Sequence, residues 1–224
     1  MAYYSSNRAL ELRALLRERF PTAHTKAAPT RGVSPWPPAP DQDPPPLPVI
    51  DFVPGEIREV VAENPGCGGA LLVGELLYGS LRNKRILTLV DGKDSFDPDS
   101  FGQRLCRQLL WLRCRDAEQA LQSTDLLLRD GNLPDIFLDL QLNPLAELRA
   151  LPLHVWHRFR RLSEQSGTAL IVLSPTPLVT SATSRFVLRH ESPPAAWELP
   201  RASLSTRPRT RLQRQRFPHV QMSA

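Results

Sequence analysis

The sequence predicts an α/β fold with a mostly parallel central sheet flanked by helices. Three observations predict it. Short apolar runs that read as buried strands, such as Arg85-Ile-Leu-Thr-Leu-Val-Asp91 and Asp135-Ile-Phe-Leu-Asp139, alternate with stretches of helical periodicity. A glycine-rich turn at Gly66 to Gly69 joins the first such strand to the first core helix. The 224 residues are enough for one packed domain of roughly 130 to 160 residues with flanking segments.

In chain order, Asn7 to Phe20 reads as an amphipathic helix, with Ala9, Leu12, Leu15, Leu16 and Phe20 on one side and Arg8, Arg13, Arg17, Glu18 and Arg19 largely on the other. Pro21 ends it. Residues 22–49 form a linker: ten prolines between Pro29 and Pro54, including Pro44-Pro45-Pro46, give it polyproline II character. The helix on its far side either folds back on its own core or docks on another protein or another copy, through Leu12, Leu15, Leu16 and Phe20.

The globular part spans residues 50–192. Ile57 to Ala62 is a strand, and Gly69 to Asn83 a helix with Leu72, Leu76 and Leu77 inward. Arg85 to Asp91 is a buried strand. Phe101, Leu105, Leu109 and Leu112 fall at helical spacing, which puts Cys106 and Cys114 near a core face. Ala117 to Arg129 is a helix, Asp135 to Asp139 a strand and His154 to Ser166 a helix. Thr168 to Leu173 and Ser184 to Leu188 are the last two strands of this part.

Residues 193–224 are an arginine-rich tail. Six of the 28 basic residues follow Pro200 and no acid does, which leaves 22 bases against the 23 acids, about −1, over the first 200 residues. Arg207, Arg209, Arg211, Arg214 and Arg216 sit among small, polar or aromatic residues. Five such arginines suit about five phosphates, which for duplex DNA gives a salt slope of order −4. The same segment suits an acidic protein partner, or is a solvated end. Trp197 is expected to anchor it.

Three cysteines, Cys67, Cys106 and Cys114, have no metal-ligand or disulfide spacing and fit a reducing, cytoplasmic setting. No apolar run is long enough to span a bilayer, so no membrane partner is expected. The histidines His154, His157, His190 and His219 show no ligand spacing, and no metal or cofactor is expected. Cys67, beside a helix N-terminus, is a small loop residue or a thiol whose pKa the helix dipole lowers.

The stretch Glu63-Asn-Pro-Gly66-Cys-Gly68-Gly69-Ala70 occupies the place of a phosphate-binding loop, between strand and helix. A working G-x-x-x-x-G-K-[ST] loop needs glycines to aim backbone N–H groups, a lysine for the outer phosphates and a hydroxyl for magnesium. Those four positions read Glu63, Gly68, Gly69 and Ala70, so only one is kept, and a carboxylate stands near where triphosphate would lie. Read alone, the stretch is equally a strand-to-helix turn.

The order of motifs resembles the RecA-type recombinase domain. Leu89-Val-Asp91-Gly-Lys93-Asp-Ser-Phe-Asp97-Pro98 is similar to the family's strand and turn that reads Asp-Ala-Glu and ends in Leu-Asp-Pro. Glu118-Gln-Ala-Leu121, Asp125, Arg129, Gly131 and Asp139 follow at family spacing, and Gln165-Ser-x-Thr168-x-Leu170-Ile171 resembles its next helix-to-strand joint. The likeness covers about Gly55 to Arg189. It implies that the water-activating glutamate falls at Lys93, the nucleotide-sensing Asn-Gln pair at Ser174-Pro175, and the acid of the Walker B strand at Asp139. With loop lysine, hydroxyl and base all missing, the resemblance implies a protein that is not an ATPase.

The short core, the N-terminal Leu-Arg-Ala-Leu-Leu-Arg-Glu-Arg-Phe helix, the Pro-rich linker and the arginine-rich tail look like the ImuA branch, grouped with SulA-like proteins. That resemblance implies an accessory subunit of a bacterial translesion-synthesis mutasome, acting after DNA damage in the SOS response. Its implied partners are an ImuB-like inactive Y-family polymerase and an error-prone C-family DNA polymerase. RecA, a second copy of the chain, and DNA through the tail are further candidates. Two other functions stay open: a SulA-like division inhibitor acting on FtsZ, and a DNA-dependent ATPase with an altered site.

Overall fold

Six parallel strands and one antiparallel strand make a single sheet in the computed structural model, which describes residues 50–64, 66–189 and 209–215. The N-terminal helix with Leu12, Leu15, Leu16 and Phe20, the Pro-rich linker, Trp197, Arg207 and Arg216 lie outside the described residues.

The strands are β1 (Ile57–Val61), β2 (Leu87–Asp91), β3 (Leu109–Arg113), β4 (Asp135–Asp139), β5 (Ala169–Ser174), β6 (Ser184–Arg189) and β7 (Arg209–Gln215). Their order across the sheet is β3-β2-β4-β5-β1-β6-β7. The helices are α1 (Gly69–Asn83), α2 (Gly102–Leu105), α3 (Ala117–Asp130), α4 (Leu145–Ala150) and α5 (His154–Ser166). The fold is therefore α/β, as the alternation of apolar runs and helical stretches predicts.

The central strands are buried on both faces, and consecutive residues feed different cores. In β4, Ile136 and Leu138 join one cluster with Ala120, Leu121 and Leu128 of α3 and Trp156 and Phe159 of α5, whereas Phe137 joins the other with Leu72, Leu76 and Leu77 of α1. Trp156 and Phe159 meet edge to face at 5.9 Å. In β5, Leu170 and Val172 go to the first cluster and Ile171 and Leu173 to the second. A one-residue slip of either strand would exchange the two sets, so the register is strongly fixed.

Local chemistry sets the helix ends. Asp116 caps α3 by accepting Gln119 N–H at 2.8 Å, and Gln119 Oε1 accepts Arg115 N–H at 2.9 Å. Gly131 (φ +69°) closes α3, and Gly167 (φ +73°) closes α5 with its N–H on Ser163 O at 2.9 Å.

One expectation fails. The helical spacing of Phe101, Leu105, Leu109 and Leu112 does not continue as a helix: α2 stops at Leu105, a 3-10 turn covers Cys106–Gln108, and Leu109–Arg113 is β3. The strand pairs with β2 in register, Leu89 opposite Trp111. Leu109-Leu-Trp-Leu112 is a continuous apolar run that fits either state, and the ladder offered by β2 decides. Cys114 is buried just beyond β3, and Cys106 is half-buried.

Arg209–Gln215, within the arginine-rich segment, forms β7 and lengthens the sheet by pairing antiparallel with β6.

Candidate functional site

The glycine-rich stretch lies between β1 and α1, outside the carboxyl ends of the strands, where open α/β sheets place their ligands. Glu63, Asn64 and Gly66 are exposed, while Gly68 and Gly69 are buried at the helix start and Ala70 is exposed in its first turn. Gly68 has φ +104°, a conformation that a residue with a Cβ would hold only under strain.

A side chain from another strand covers the loop. A Cβ on Gly69 would collide with Gln141 Oε1, and would lie 3.1 Å from Gln141 Cδ. The same amide donates from Nε2 to Cys67 Sγ at 3.8 Å. The position from which a loop lysine would reach out is thus filled by the Gln141 carboxamide. Burial raises the Cys67 thiol above its ordinary value, outweighing the hydrogen bonds that lower it. Of the two readings of Cys67, this favours the small loop residue over a thiolate poised by the helix dipole.

Asp139 ends β4, and its Oδ1 accepts Gln141 N–H at 2.9 Å. Desolvation, with a smaller contribution from the neighbouring charge of Asp91, pushes its carboxyl up to about 6. Asp91 itself is turned inward to its own chain. It accepts from Ser95 N–H (3.0 Å), Phe96 N–H (2.8 Å), Lys93 N–H (3.3 Å), the Ser95 hydroxyl (3.2 Å) and the Trp111 indole (3.3 Å). These bonds fix the turn after β2, where Phe96 stacks on Phe101 at 5.2 Å.

That turn locks onto the end of β4. Gly92 N–H donates to Asp139 O at 2.9 Å, and Asn143 Nδ2 donates to Gly92 O at 2.8 Å and to Glu147 Oε2 at 3.2 Å. Lys93 Nζ lies 3.5 Å from Glu147 Oε1, and Glu147 also accepts Ala117 N–H at 3.3 Å, at the start of α3. The Asn143 bond, ahead of the others, holds the Glu147 carboxyl below its usual range. Where the resemblance expects a water-activating carboxylate there is a cation already engaged with α4.

The Ser174-Pro175 position is also occupied by structural work. The Ser174 hydroxyl donates to Glu59 Oε1 at 3.1 Å, and Leu178 and Val179 N–H donate to the same oxygen at 2.6 and 3.0 Å. Arg185 Nε meets Glu59 Oε2 at 2.6 Å, with Glu59 fully buried. Sequence reasoning missed this anchor. β1 reads Ile57-Arg-Glu-Val-Val61, with Arg58 and Glu59 side by side, so nothing in the strand's sequence singles out Glu59 as the buried one.

Gln141, Asn143 and Glu147 were missed as well, because the contacts that tie them to the Cys67 loop, to Gly92 and to the start of α3 join segments distant in the chain. A groove of 690 Å³ between α3 and the α4–α5 connection lies apart from the loop; Asp125 on its wall bridges Arg158 at 2.6 Å and Arg129 at 2.5 Å.

Of the basic segment, Arg209, Arg211 and Arg214 lie on β7, opposite Arg189, Val187 and Arg185 respectively. Among the described residues no His, Cys, Asp and Glu side chains gather as a metal ion would need, and no helix is long and apolar enough to cross a membrane.

In comparison with known proteins, no family model matches this sequence and no curated protein matches it significantly.

Proposed function

We propose that this chain is a non-catalytic, RecA-like accessory subunit of a bacterial translesion-synthesis mutasome of the ImuA–ImuB type, binding a polymerase-like partner, DNA or both. The observation that carries the non-catalytic half is the Gln141 carboxamide seated over Gly69, with Lys93 held by Glu147 where a base would be needed. Phosphoryl transfer depends on positioning and charge neutralisation together, and the sequence has glycine at the loop-lysine position and Lys93 where the base would stand.

The RecA-like half is supported by topology. The glycine loop follows β1, the acid Asp139 ends β4, and β5 lies between those two strands in a parallel sheet of order β3-β2-β4-β5-β1-β6. The mutasome assignment rests on the resemblance of the N-terminal helix, linker and core to the ImuA branch.

The test has two arms. The full chain is titrated with a fluorescent ATP analogue and magnesium, and is co-expressed with an ImuB-like inactive Y-family polymerase. No nucleotide binding together with co-purification of the polymerase supports the reading. An ATP hydrolysis rate that Asp139→Ala abolishes overturns it in favour of an enzyme, and inhibition of FtsZ polymerisation without polymerase binding overturns it in favour of a division inhibitor.

A further inference from the structure

We propose that the β6–β7 edge of the sheet is a track for the phosphate backbone of nucleic acid. This deepens the DNA-binding arm of the function proposed above, and its structural support is the edge alone.

The edge is built by pairing, which converts a run of arginines into an array. β7 runs antiparallel to β6, with Arg209 opposite Arg189, Arg211 opposite Val187 and, beyond a bulge, Arg214 opposite Arg185. In β6, Ser184 and Leu188 are buried, so Arg185, Val187 and Arg189 belong to the other face of the pleat. The β7 arginines therefore take register positions beside that face. Residues two apart on a strand are separated by about 6.6 Å. That spacing is of the same order as the through-space distance between successive phosphates along a nucleic-acid backbone, so the Arg209–Arg211 repeat suits neighbouring phosphates.

The charges at this edge differ in their engagement. Arg185 is neutralised by Glu59. Arg189 and Arg211 are exposed, and among the described residues neither forms an ion pair. β7 carries no acid, and its remaining residues are Thr210, Leu212, Gln213 and Gln215, three of them able to donate to phosphate or sugar oxygens. The near-neutral first 200 residues supply no competing cationic field.

An acidic protein is the other ligand that such charge would suit. Protein interfaces draw most of their affinity from buried aromatic or arginine anchors seated in pockets. β7 has no aromatic residue and only one large apolar side chain, Leu212, which is half-exposed. The same lack of aromatic side chains removes base stacking, so binding should be indifferent to sequence.

The experiment measures fluorescence anisotropy of a labelled thymidine 30-mer and of a 30-base-pair duplex with the full chain, across salt concentrations. The variants are Arg209→Gln/Arg211→Gln/Arg214→Gln, the matching triple lysine variant, and Arg107→Gln/Arg149→Gln as a distant control. The glutamine triple is expected to lose affinity at least about 10-fold at low salt and to flatten the single-strand salt slope by about 2. The lysine triple should keep most of the binding, and the control should stay within about 2-fold, as expected for charges outside the track.

Unchanged binding in the glutamine triple, with its melting transition intact, overturns the proposal. So does equal loss in the lysine triple, which would point to a folding role, and so does displacement of DNA by polyglutamate at matched charge, which would point to an acidic protein partner. The polymerase co-purification is repeated with the glutamine triple. If the partner still co-purifies while wild-type DNA binding is absent, this proposal falls and the mutasome reading stands.

Discussion

The carboxamide of Gln141 stands where a side chain on Gly69 would have to begin, so any such side chain must first displace it. Introducing a lysine and a hydroxyl into the loop is then not enough to make a nucleotide site. Gly69→Lys with Ala70→Thr is expected to show no magnesium-dependent binding of a fluorescent ATP analogue. Adding Gln141→Ala should improve binding at least about 10-fold, or about 1.4 kcal/mol. Tight binding by the double variant alone would sink the idea that Gln141 blocks the loop.

The buried pair of Glu59 and Arg185 should be among the most sensitive points of the fold. Glu59→Gln keeps an acceptor for Leu178 and Val179 N–H but leaves Arg185 without its counter-charge. Removing one partner of a buried pair costs about 3–5 kcal/mol, whereas replacing both by apolar residues is often near neutral. Urea denaturation should therefore rank Glu59→Gln well below the double variant Glu59→Gln/Arg185→Met, which removes the orphaned charge and keeps an acceptor for Ser174, Leu178 and Val179. A loss under about 1 kcal/mol for Glu59→Gln would mean that solvent reaches the pair.

Asp139 gives a pH signature of definite sign. Its carboxyl is raised from 3.8 to about 6, so the folded state holds the proton more tightly than the unfolded chain. The group imposes no penalty below about pH 4; the penalty grows between pH 4 and 6 and is full above 6, about 2 kcal/mol after allowing for partial exposure. Asp139→Asn retains an acceptor for Gln141 N–H. It should be about 2 kcal/mol more stable than the native chain at pH 7.5 and equal to it at pH 4. A destabilised variant at pH 7.5 would show that a cation compensates the carboxylate.

Two glycines should respond in opposite directions to alanine. At Gly92 a Cβ would lie 2.7 Å from Asp139 O and 2.9 Å from Leu140 Cδ2, and the first of these is backbone that cannot move aside. Gly92→Ala should cost about 2 kcal/mol or more. At Gly79, inside α1, a Cβ meets nothing within 4 Å. Gly79→Ala should stabilise by about 0.5–1 kcal/mol in the same denaturation assay.

Elements defined by contacts within a few residues were legible in the sequence. The apolar spacing of Leu72, Leu76 and Leu77 and the glycine turn before them mark α1 as Gly69–Asn83, and β4 and α5 fall where the sequence predicts them. That Gly69 and Ala70 offer neither a lysine nor a hydroxyl is likewise plain, because a side chain absent from the sequence cannot act. Periodicity misled at Leu109–Arg113, where the same residues satisfy a helix and a strand.

What only the tertiary structure decided are the pairings across long separations. Gln141 reaches Cys67 across 74 positions and Arg185 reaches Glu59 across 126, and neither partner marks the other in sequence. Arg209–Gln215 reads as a basic tail until β6 supplies its hydrogen-bonding partner. The physical reason is common to all three. Helix periodicity and caps are settled by neighbours along the chain, whereas a buried charge, an occupied loop and an edge strand are settled by whichever distant group the fold brings against them.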